Sequence, residues 1–222
     1  MDSQRVQAVA VKEVLLNIIF MTTDTLLIIF TRNPVLNQVK TRLAKRIGPE
    51  KALEVYNILL EKTAEITTAV STDKWVCHTP EILENNLWSS TNFHQKVQRG
   101  DDLGERMKNA FKDGFNAGYQ RVAIIGSDLF ELTAVDLEMA FEKLVEHRAV
   151  LGPAEDGGYY LIGLKELHPG IFENKQWGQD TVLKDTLDHF KDSDVALLNL
   201  YNDIDIYEDL ERHLVFQKYL NH

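Results

Sequence analysis

The sequence predicts an α/β protein built on a single doubly wound, mostly parallel sheet, and three observations support this. Strand-like apolar segments alternate with helix-like segments along most of the chain. The segments at residues 26–30 and 122–125 are continuously apolar, as expected for strands that are covered on both faces. The chain of 222 residues is 44% hydrophobic and has no obvious linker or repeat, which favours one core.

Strands are predicted where short apolar runs lie between turn residues. These runs are residues 26–30, 73–79, 93–98, 121–127, 148–152, 159–163 and 194–200. Asp156-Gly157-Gly158 separates two of the runs, and Asp-Gly between apolar segments indicates a hairpin turn.

Helices are predicted where apolar residues recur every three or four positions behind a residue suited to the first turn. Pro49 opens one such segment, because proline is favoured at the start of a helix. Asp101 or Asp102 caps a second, and Thr133 caps a third. Further helices are predicted to open at residues 40–43, near residues 180–190, and from about residue 207.

Composition excludes several classes of protein. A net charge of −10 argues against a general nucleic-acid binder, which needs a basic surface. The single cysteine, Cys77, excludes an internal disulfide and a cysteine-rich zinc site, and we expect it to be a buried core thiol.

The amino-terminal segment is expected to lie outside the fold. Its apolar run is far shorter than the roughly 20 residues of a membrane span, and no cleavage site of a signal peptide is evident. We therefore predict a cytoplasmic protein with an extension at residues 1–20 and one domain at residues 21–222.

Three cations follow the first strand within eleven residues of an otherwise acidic chain, namely Arg32, Lys40 and Arg42. A helix that begins here would present free backbone N–H groups, and these groups together with lysine and arginine attract phosphate oxygens. The glycines of a Walker A loop are absent. A solvated basic helix end is the alternative interpretation, and spacing alone does not decide between the two.

Asp128 follows an apolar strand and is expected at the carboxyl edge of the sheet, where open α/β sheets bind ligands. An acidic run at residues 202–210 follows a later strand and could supply a second carboxylate. Two such groups would repel each other without a cation between them, and Mg²⁺ is usually held by one or two carboxylates plus substrate phosphates. Capping of the next turn or helix is the alternative for each.

Asp156 belongs to the predicted hairpin turn, which is the simplest account of it. Glycine turns also allow a ligand to approach the backbone closely. Asp156 could then anchor an acceptor hydroxyl or act as a base.

Five segments, in this order, resemble the radical-SAM/selenodomain-associated transferases, some of which are called arsenosugar-biosynthesis glycosyltransferases. The segments are residues 40–43, 100–107, 126–128, 152–163 and 203–210. The resemblance extends over roughly residues 26–210. One departure is Asn37, which stands where the family usually has glycine.

The resemblance implies a glycosyltransferase-A-like fold of the nucleotide-diphospho-sugar transferase superfamily. It implies that Asp128 and Asp205 hold Mg²⁺ or Mn²⁺. The basic residues that it assigns to nucleotide phosphates are Arg32, Lys40, Arg42 and Arg106. Asp156 is the predicted catalytic residue on the acceptor side.

Three functions stay open at this point. The first is a metal-dependent glycosyltransferase-like enzyme with a nucleotide-sugar donor and a small-molecule acceptor. The second is a nucleotidyltransferase that moves NMP from an NTP to a small phosphorylated or hydroxyl acceptor. The third is a non-catalytic nucleotide-binding protein. All three exclude nucleic acid and a membrane span as partners.

Overall fold

The structure is a computed structural model that describes residues 23–191 and 194–220. Its strands are β1 (Thr25–Arg32), β2 (Asp73–Thr79), β3 (His94–Val97), β4 (Arg121–Ile125), β5 (Ala149–Pro153), β6 (Tyr159–Leu164) and β7 (Val195–Leu197). Its helices are α1 (Thr41–Ile47), α2 (Pro49–Thr68), α3 (Leu103–Asn116), α4 (Ala134–Glu146), α5 (Val182–Leu187) and α6 (Tyr207–Leu210). The predicted extension at residues 1–20 falls outside the described residues, so the domain boundary stays a prediction.

The described strands form one seven-stranded sheet in the order β3-β2-β1-β4-β6-β5-β7. Only β6 runs antiparallel to its neighbours β4 and β5, and every other described pairing is parallel. The predicted mostly parallel α/β sheet is therefore confirmed. The hairpin predicted at Asp156-Gly157-Gly158 joins β5 to β6, where Ala154 N–H donates to Gly158 O at 3.1 Å.

Helices cover both faces of this sheet, which explains the apolar runs of the central strands. On one face, Tyr56 and Leu60 of α2 and Leu137 of α4 pack on Leu27 and Ile29. On the other face, α3 buries a separate apolar cluster. Alternate residues of β1 point to opposite faces, so a strand buried on both sides must be apolar at every position.

Two predicted helix caps are present. Asp102 accepts a hydrogen bond from Glu105 N–H at 2.8 Å at the start of α3. Thr133 and Asp136 bond reciprocally at the start of α4 and form a capping box. These bonds satisfy backbone N–H groups that the first helical turn leaves free.

The last part of the chain is less regular than its sequence pattern predicts. The helix predicted from about residue 207 spans only Tyr207–Leu210, and a 3₁₀ segment at Leu214–Tyr219 follows it. Leu210 and Phe216 are both fully buried against α1 and α2. These apolar anchors bring the acidic run beside the basic loop that follows β1. No helix in the described part of the chain is long and apolar enough to cross a lipid bilayer.

Candidate functional site at the carboxyl edge of the sheet

The predicted site residues gather at one edge of the sheet. The carboxyl ends of β1, β2 and β4 meet there and border a cleft of about 520 Å³. Five of the predicted residues line this cleft: Arg32, Lys40, Arg106, Asp128 and Asp205. Arg42 reaches it through Asp205, and Asp156 lines an adjoining cavity of about 220 Å³.

The backbone of the loop after β1 explains how Lys40 enters the cleft. Lys40 has the left-handed values φ 45° and ψ 44° and is the N-cap residue of α1. Only 5% of its side chain is exposed. Such a conformation is uncommon for a residue with a side chain and is often found at functional sites. Asn37 is also left-handed, with φ 64°, and asparagine tolerates this conformation better than most residues, which accounts for asparagine in place of glycine.

The ammonium of Lys40 lies between the two predicted metal ligands. Its Nζ is 3.1 Å from Asp128 Oδ2 and 3.8 Å from Asp205 Oδ1. Burial by itself lowers the pKa of Lys40, but the attraction of Asp128 and Asp205 outweighs burial, and the net pKa is raised. Lys40 therefore stays charged and partly neutralises both carboxylates.

Arg42 is placed differently from Lys40. Its Nη1 donates to Asp205 Oδ2 at 3.0 Å, and 71% of its side chain is exposed. Arg42 therefore lies at the outer rim of the cleft. Together with Lys40 it leaves Asp205 with a cation beside each carboxylate oxygen.

Two short-range features orient Asp128. The backbone carbonyl of Asp128 accepts a hydrogen bond from Ile204 N–H at 3.3 Å, which ties the acidic run to the end of β4. A Cβ atom at Gly126 would lie 2.8 Å from Asp128 Oδ1, so glycine leaves room for this carboxylate to fold back over the strand end. The spacing Gly126-Ser127-Asp128 thus has a direct steric reason.

Asp203 lines the cavity beside the cleft, and the sequence analysis did not single it out. Its Oδ1 is buried and has no hydrogen-bond partner in the described chain. Burial and the neighbouring charge of Asp128 raise the pKa of the Asp203 carboxyl to about 8. The alternation Asp203-Ile204-Asp205 was the available signal: Ile204 is fully buried, whereas Asp203 lines the 220 Å³ cavity and Asp205 lines the cleft.

Arg32 and Arg106 supply the remaining positive charge. Within the described residues, the guanidinium of Arg32 has no hydrogen bond or ion pair, whereas Arg106 Nε donates to Gly100 O at 2.9 Å.

The backbone of Arg32 is held by Tyr56, whose hydroxyl accepts from Arg32 N–H and donates to Arg32 O, both at 3.1 Å. Tyr56 is buried and fixes the end of β1 from α2. The sequence analysis did not identify Tyr56 as a site residue.

Asp156 occupies the turn between β5 and β6. Its Oδ1 accepts from Gly158 N–H at 2.9 Å, which is the turn-forming role considered from the sequence. Asp156 also lines the 220 Å³ cavity together with Asp203 and Trp177. Asp156 therefore stabilises the turn through a hydrogen bond and also lies beside the cleft.

The wall of this cavity depends on two glycines. A Cβ atom at Gly104 of α3 would lie 2.6 Å from Trp177 Nε1, and one at Gly157 would lie 2.2 Å from Asp180 O. Gly157 also has φ +86°, which glycine adopts without strain. These close approaches hold the loop at residues 177–180 against the cleft.

The fit of a divalent metal depends on Asp128, Asp203 and Asp205. Carboxylate oxygens are the ligands that Mg²⁺ prefers, and the partnerless Oδ1 of Asp203 adds an acceptor beside Asp128. Across the residues that the structure describes, no three acidic, histidine or cysteine side chains are spaced to hold a metal ion by themselves. A divalent ion at these carboxylates would therefore need further oxygens from a bound ligand such as a phosphate.

A larger depression lies elsewhere. It has a volume of about 980 Å³ and borders Asp24, Lys112 and Arg121 at the amino ends of β1 and β4. None of the predicted site residues lines it. Ligands of open α/β sheets bind at the carboxyl ends, so we assign the site to the smaller cleft.

Comparison with known families and curated proteins gives one match. A family model described as "Uncharacterized protein conserved in bacteria (DUF2064)" matches residues 62–179, which is more than half of the chain. No curated protein matches the sequence.

Comparison with solved structures gives a similar fold in several transferases. A candidate nucleotide-diphospho-sugar transferase from Desulfovibrio desulfuricans G20 is 28% identical, with a TM-score of 0.81 and 88% of each chain covered. The 4-diphosphocytidyl-2C-methyl-D-erythritol synthase from Anaerococcus prevotii DSM 20548 is 13% identical, with a TM-score of 0.56 over 90% of this chain and 97% of that chain. A cytidylyltransferase from Leptospira borgpetersenii is 12% identical, with a TM-score of 0.54 over 85% of this chain and 84% of that chain. The α/β fold thus matches that of nucleotide-diphospho-sugar transferases.

Proposed function

The chain belongs to the DUF2064 family, and from this premise we propose that it is a metal-dependent transferase that uses a nucleotide-activated sugar as donor. One observation carries the proposal: Lys40, Arg32 and Arg106 face Asp128 and Asp205 across one cleft at the carboxyl edge of the sheet. The likeness to the Desulfovibrio protein, described as a candidate nucleotide-diphospho-sugar transferase, supports the same class of reaction. The narrower likeness to arsenosugar-type glycosyltransferases stays a prediction.

The cations are proposed to hold the phosphates of the donor. Arg32 has a guanidinium that no described side chain occupies, and it can bind phosphate with two parallel hydrogen bonds. Arg106 faces the same cleft from α3, and Lys40 is the buried charge at its centre. When a glycosyl group leaves, negative charge grows on the departing diphosphate, and fixed cations stabilise it.

Asp128 and Asp205 are proposed to hold Mg²⁺ or Mn²⁺ together with those phosphates. A bound metal would neutralise charge on the leaving diphosphate. The residues of the chain would fix its position, since Gly126 leaves room for the Asp128 carboxylate and the buried Ile204 orients Asp205.

Asp156 is proposed to act on the acceptor, a small molecule bound in the 220 Å³ cavity. This cavity adjoins the phosphate cleft, since Phe30, Leu103 and Gly126 line both. One oxygen of Asp156 holds the turn, which leaves the other to accept the proton of an attacking hydroxyl.

Nucleotidyl transfer is the second candidate, and the number of cations grouped at the cleft favours it. Four basic side chains stand in or at the rim of the cleft, which suits a triphosphate as well as a diphosphate. Two proteins of the same fold are described as a cytidylyltransferase and a diphosphocytidyl-methylerythritol synthase. In this reaction the acceptor attacks the α-phosphorus and pyrophosphate leaves.

The two reactions are distinguished by their products. Purified protein would be incubated with Mg²⁺ and either nucleotide sugars or NTPs, and the released phosphates followed by ³¹P NMR. Nucleoside diphosphate release supports glycosyl transfer, and pyrophosphate release supports nucleotidyl transfer. Asp128→Asn should abolish either product, whereas Glu142→Gln, at the opposite end of the sheet, should leave it unchanged.

Binding is tested separately from turnover. A ligand at about 100 times its Kd adds roughly 2.7 kcal/mol to the free energy of unfolding, so a thermal-shift screen with and without Mn²⁺ detects it. A protein that no nucleotide or nucleotide sugar stabilises would contradict the proposal. Binding without any product would instead support a non-catalytic nucleotide-binding protein.

A further inference from the structure

A third cavity adjoins the phosphate cleft on the side away from Asp156. It has a volume of about 310 Å³ and lies between α2 and the carboxyl ends of β1 and β2. Arg32 lines both this cavity and the phosphate cleft, so the two are neighbours. Its apolar wall includes Leu60 and Trp88, and Trp88 is only 2% exposed.

His78 places an unused polar atom at this cavity. The residue is 2% exposed, and its Nε2 has no hydrogen-bond partner among the described residues. Burial lowers the pKa of His78 and outweighs the opposing effect of a hydrogen bond with Gln95, so the imidazole is neutral at physiological pH. A neutral imidazole offers one donor and one acceptor. A buried polar group without a partner is costly unless a ligand completes its bonding.

The charge of the cavity indicates which part of a ligand it can accept. The exposed carboxylates of Glu61 and Glu84 line it, and Arg32 is the only basic side chain among its lining residues. Carboxylates accept hydrogen bonds and repel phosphate. The cavity therefore suits an uncharged ring with N–H donors, and the exposed amide of Asn57 adds a donor and an acceptor at its rim.

We infer that this cavity binds the base of the nucleotide, with His78 and Asn57 as base-contacting residues; the inference rests on the proposed function. The three cavities form a series: the 310 Å³ cavity shares Arg32 with the phosphate cleft, and the phosphate cleft shares Phe30 with the 220 Å³ cavity. In an activated nucleotide the phosphates stand between the base and the transferred group. Phosphates in the central cleft thus place the base at one end and the chemistry of Asp156 at the other.

The same charges favour bases that carry an amino group. Guanine, cytosine and adenine each present an exocyclic NH₂ to an acceptor, and uracil does not. Glu61 and Glu84 can accept from such a group. The preferred ligands are therefore nucleotides of amino-bearing bases over uridine nucleotides.

Calorimetric titration with pyrophosphate, GDP, CDP, ADP and UDP, each with Mn²⁺, tests the inference. Pyrophosphate occupies only the phosphate cleft, whereas the diphosphates can also fill the base cavity. Asn57→Ala at the exposed rim and His78→Leu should weaken binding of the preferred diphosphate by several-fold to about tenfold, the usual value of one hydrogen bond. Neither should change pyrophosphate affinity, and Asn116→Ala, at the opposite end of the sheet, should change neither.

Each outcome has one meaning. Unchanged diphosphate affinity in Asn57→Ala, which is exposed and should fold normally, overturns the assignment even if His78→Leu proves unstable. Equal losses for pyrophosphate and diphosphate also overturn it, because the residues would then act on phosphate. UDP that binds as tightly as GDP, CDP and ADP overturns the predicted preference. If neither pyrophosphate nor any nucleotide binds, the proposed function itself fails.

Discussion

Lys40 Nζ lies 3.1 Å from Asp128 Oδ2, so the central cation of the cleft is supplied by the chain itself. The side chain of Lys40 is 5% exposed, while the carboxyl-bearing side chains of Asp128 and Asp205 are each 43% exposed. One buried ammonium thus holds together two acids from segments far apart in sequence. The ion pair of Lys40 and Asp128 therefore stabilises the cleft with the same residues that are proposed to bind phosphate and metal.

Replacing this cation should destabilise the protein. We expect Lys40→Met to lower the free energy of unfolding by about 2–3 kcal/mol in urea titrations, somewhat less than for a fully buried pair because the acids are partly exposed. Asp128, Asp203 and Asp205 would then face one another without the ammonium. Lys45→Met, at an exposed position of the same helix, should cost well under 1 kcal/mol.

Added Mn²⁺ provides a second measurement on the same variant. In Lys40→Met a divalent ion can take the place of the ammonium between these carboxylates, so Mn²⁺ should raise the melting temperature of the variant more than that of the wild type. An equal effect of Mn²⁺ on both proteins would show that the ion does not replace the ammonium there.

Arg32 and Arg42 should contribute unequally to phosphate binding. The guanidinium of Arg32 lies in the cleft without a partner among the described residues, whereas Arg42 is 71% exposed and already pairs with Asp205. We expect Arg32→Ala to weaken pyrophosphate binding by about tenfold or more, and Arg42→Ala by no more than a few-fold. Calorimetric titration compares the two, and a larger loss in Arg42→Ala would move the phosphate site to the outer rim.

Much of the fold was readable from local patterns. The apolar runs of β1 and β4 required a sheet buried on both faces, and Asp102 and Thr133 marked helix starts that the structure confirms. The apolar pattern overestimated the length of α6, because one buried helical turn around Leu210 is enough to anchor that segment. Periodicity reports which side chains are buried, and it does not report how long the backbone stays helical.

The site was only partly readable. The end of the predicted strand placed Asp128 at the carboxyl edge of the sheet. The position of Lys40 depends on its left-handed backbone conformation, which the sequence pattern does not predict. Asp203 and Trp177 reach the site through tertiary packing, with Trp177 held by its contact to Gly104. Such contacts join residues distant in sequence, so local spacing cannot reveal them.

The contact between Gly104 and Trp177 yields a stability prediction. In Gly104→Ala the new Cβ would lie 2.5 Å from Phe172 O and 2.6 Å from Trp177 Nε1, so the loop must move. We expect a loss of about 1–3 kcal/mol in the free energy of unfolding, as for other overpacked sites, although alanine is the better helix former. A shift in tryptophan fluorescence should accompany it. Ala110→Gly, in the same helix, serves as a control that removes volume rather than adding it.

Cys77 should be chemically silent at neutral pH. It is 4% exposed, and burial raises the pKa of its thiol from an ordinary value of 9.0 to about 12. We expect labelling by a disulfide reagent at pH 8 to be at least 100-fold slower in the native protein than in urea, because only the thiolate reacts. Fast native labelling would show that this strand opens readily.

The same pKa shift predicts a pH dependence of stability. A thiol whose folded-state pKa is raised favours the native state below the unfolded value and loses that contribution as the pH rises from 9.0 toward about 12. Wild-type protein should therefore lose more stability than Cys77→Val over this range. If the free energies of unfolding of the two proteins fall in parallel with pH, the pKa of Cys77 is not raised in the folded state.

Asp156→Asn separates binding from chemistry at the proposed acceptor side. Asparagine keeps the side-chain oxygen that accepts from Gly158 N–H, so the turn should survive and nucleotide affinity should stay within about twofold of wild type. Loss of the carboxylate should lower turnover by about 100-fold or more if Asp156 takes the acceptor proton. Asp156→Ala, which also loses the turn bond, should in addition lower the melting temperature. If Asp156→Asn retains full turnover while Asp203→Asn does not, the proton acceptor is Asp203, the other carboxylate of the same cavity.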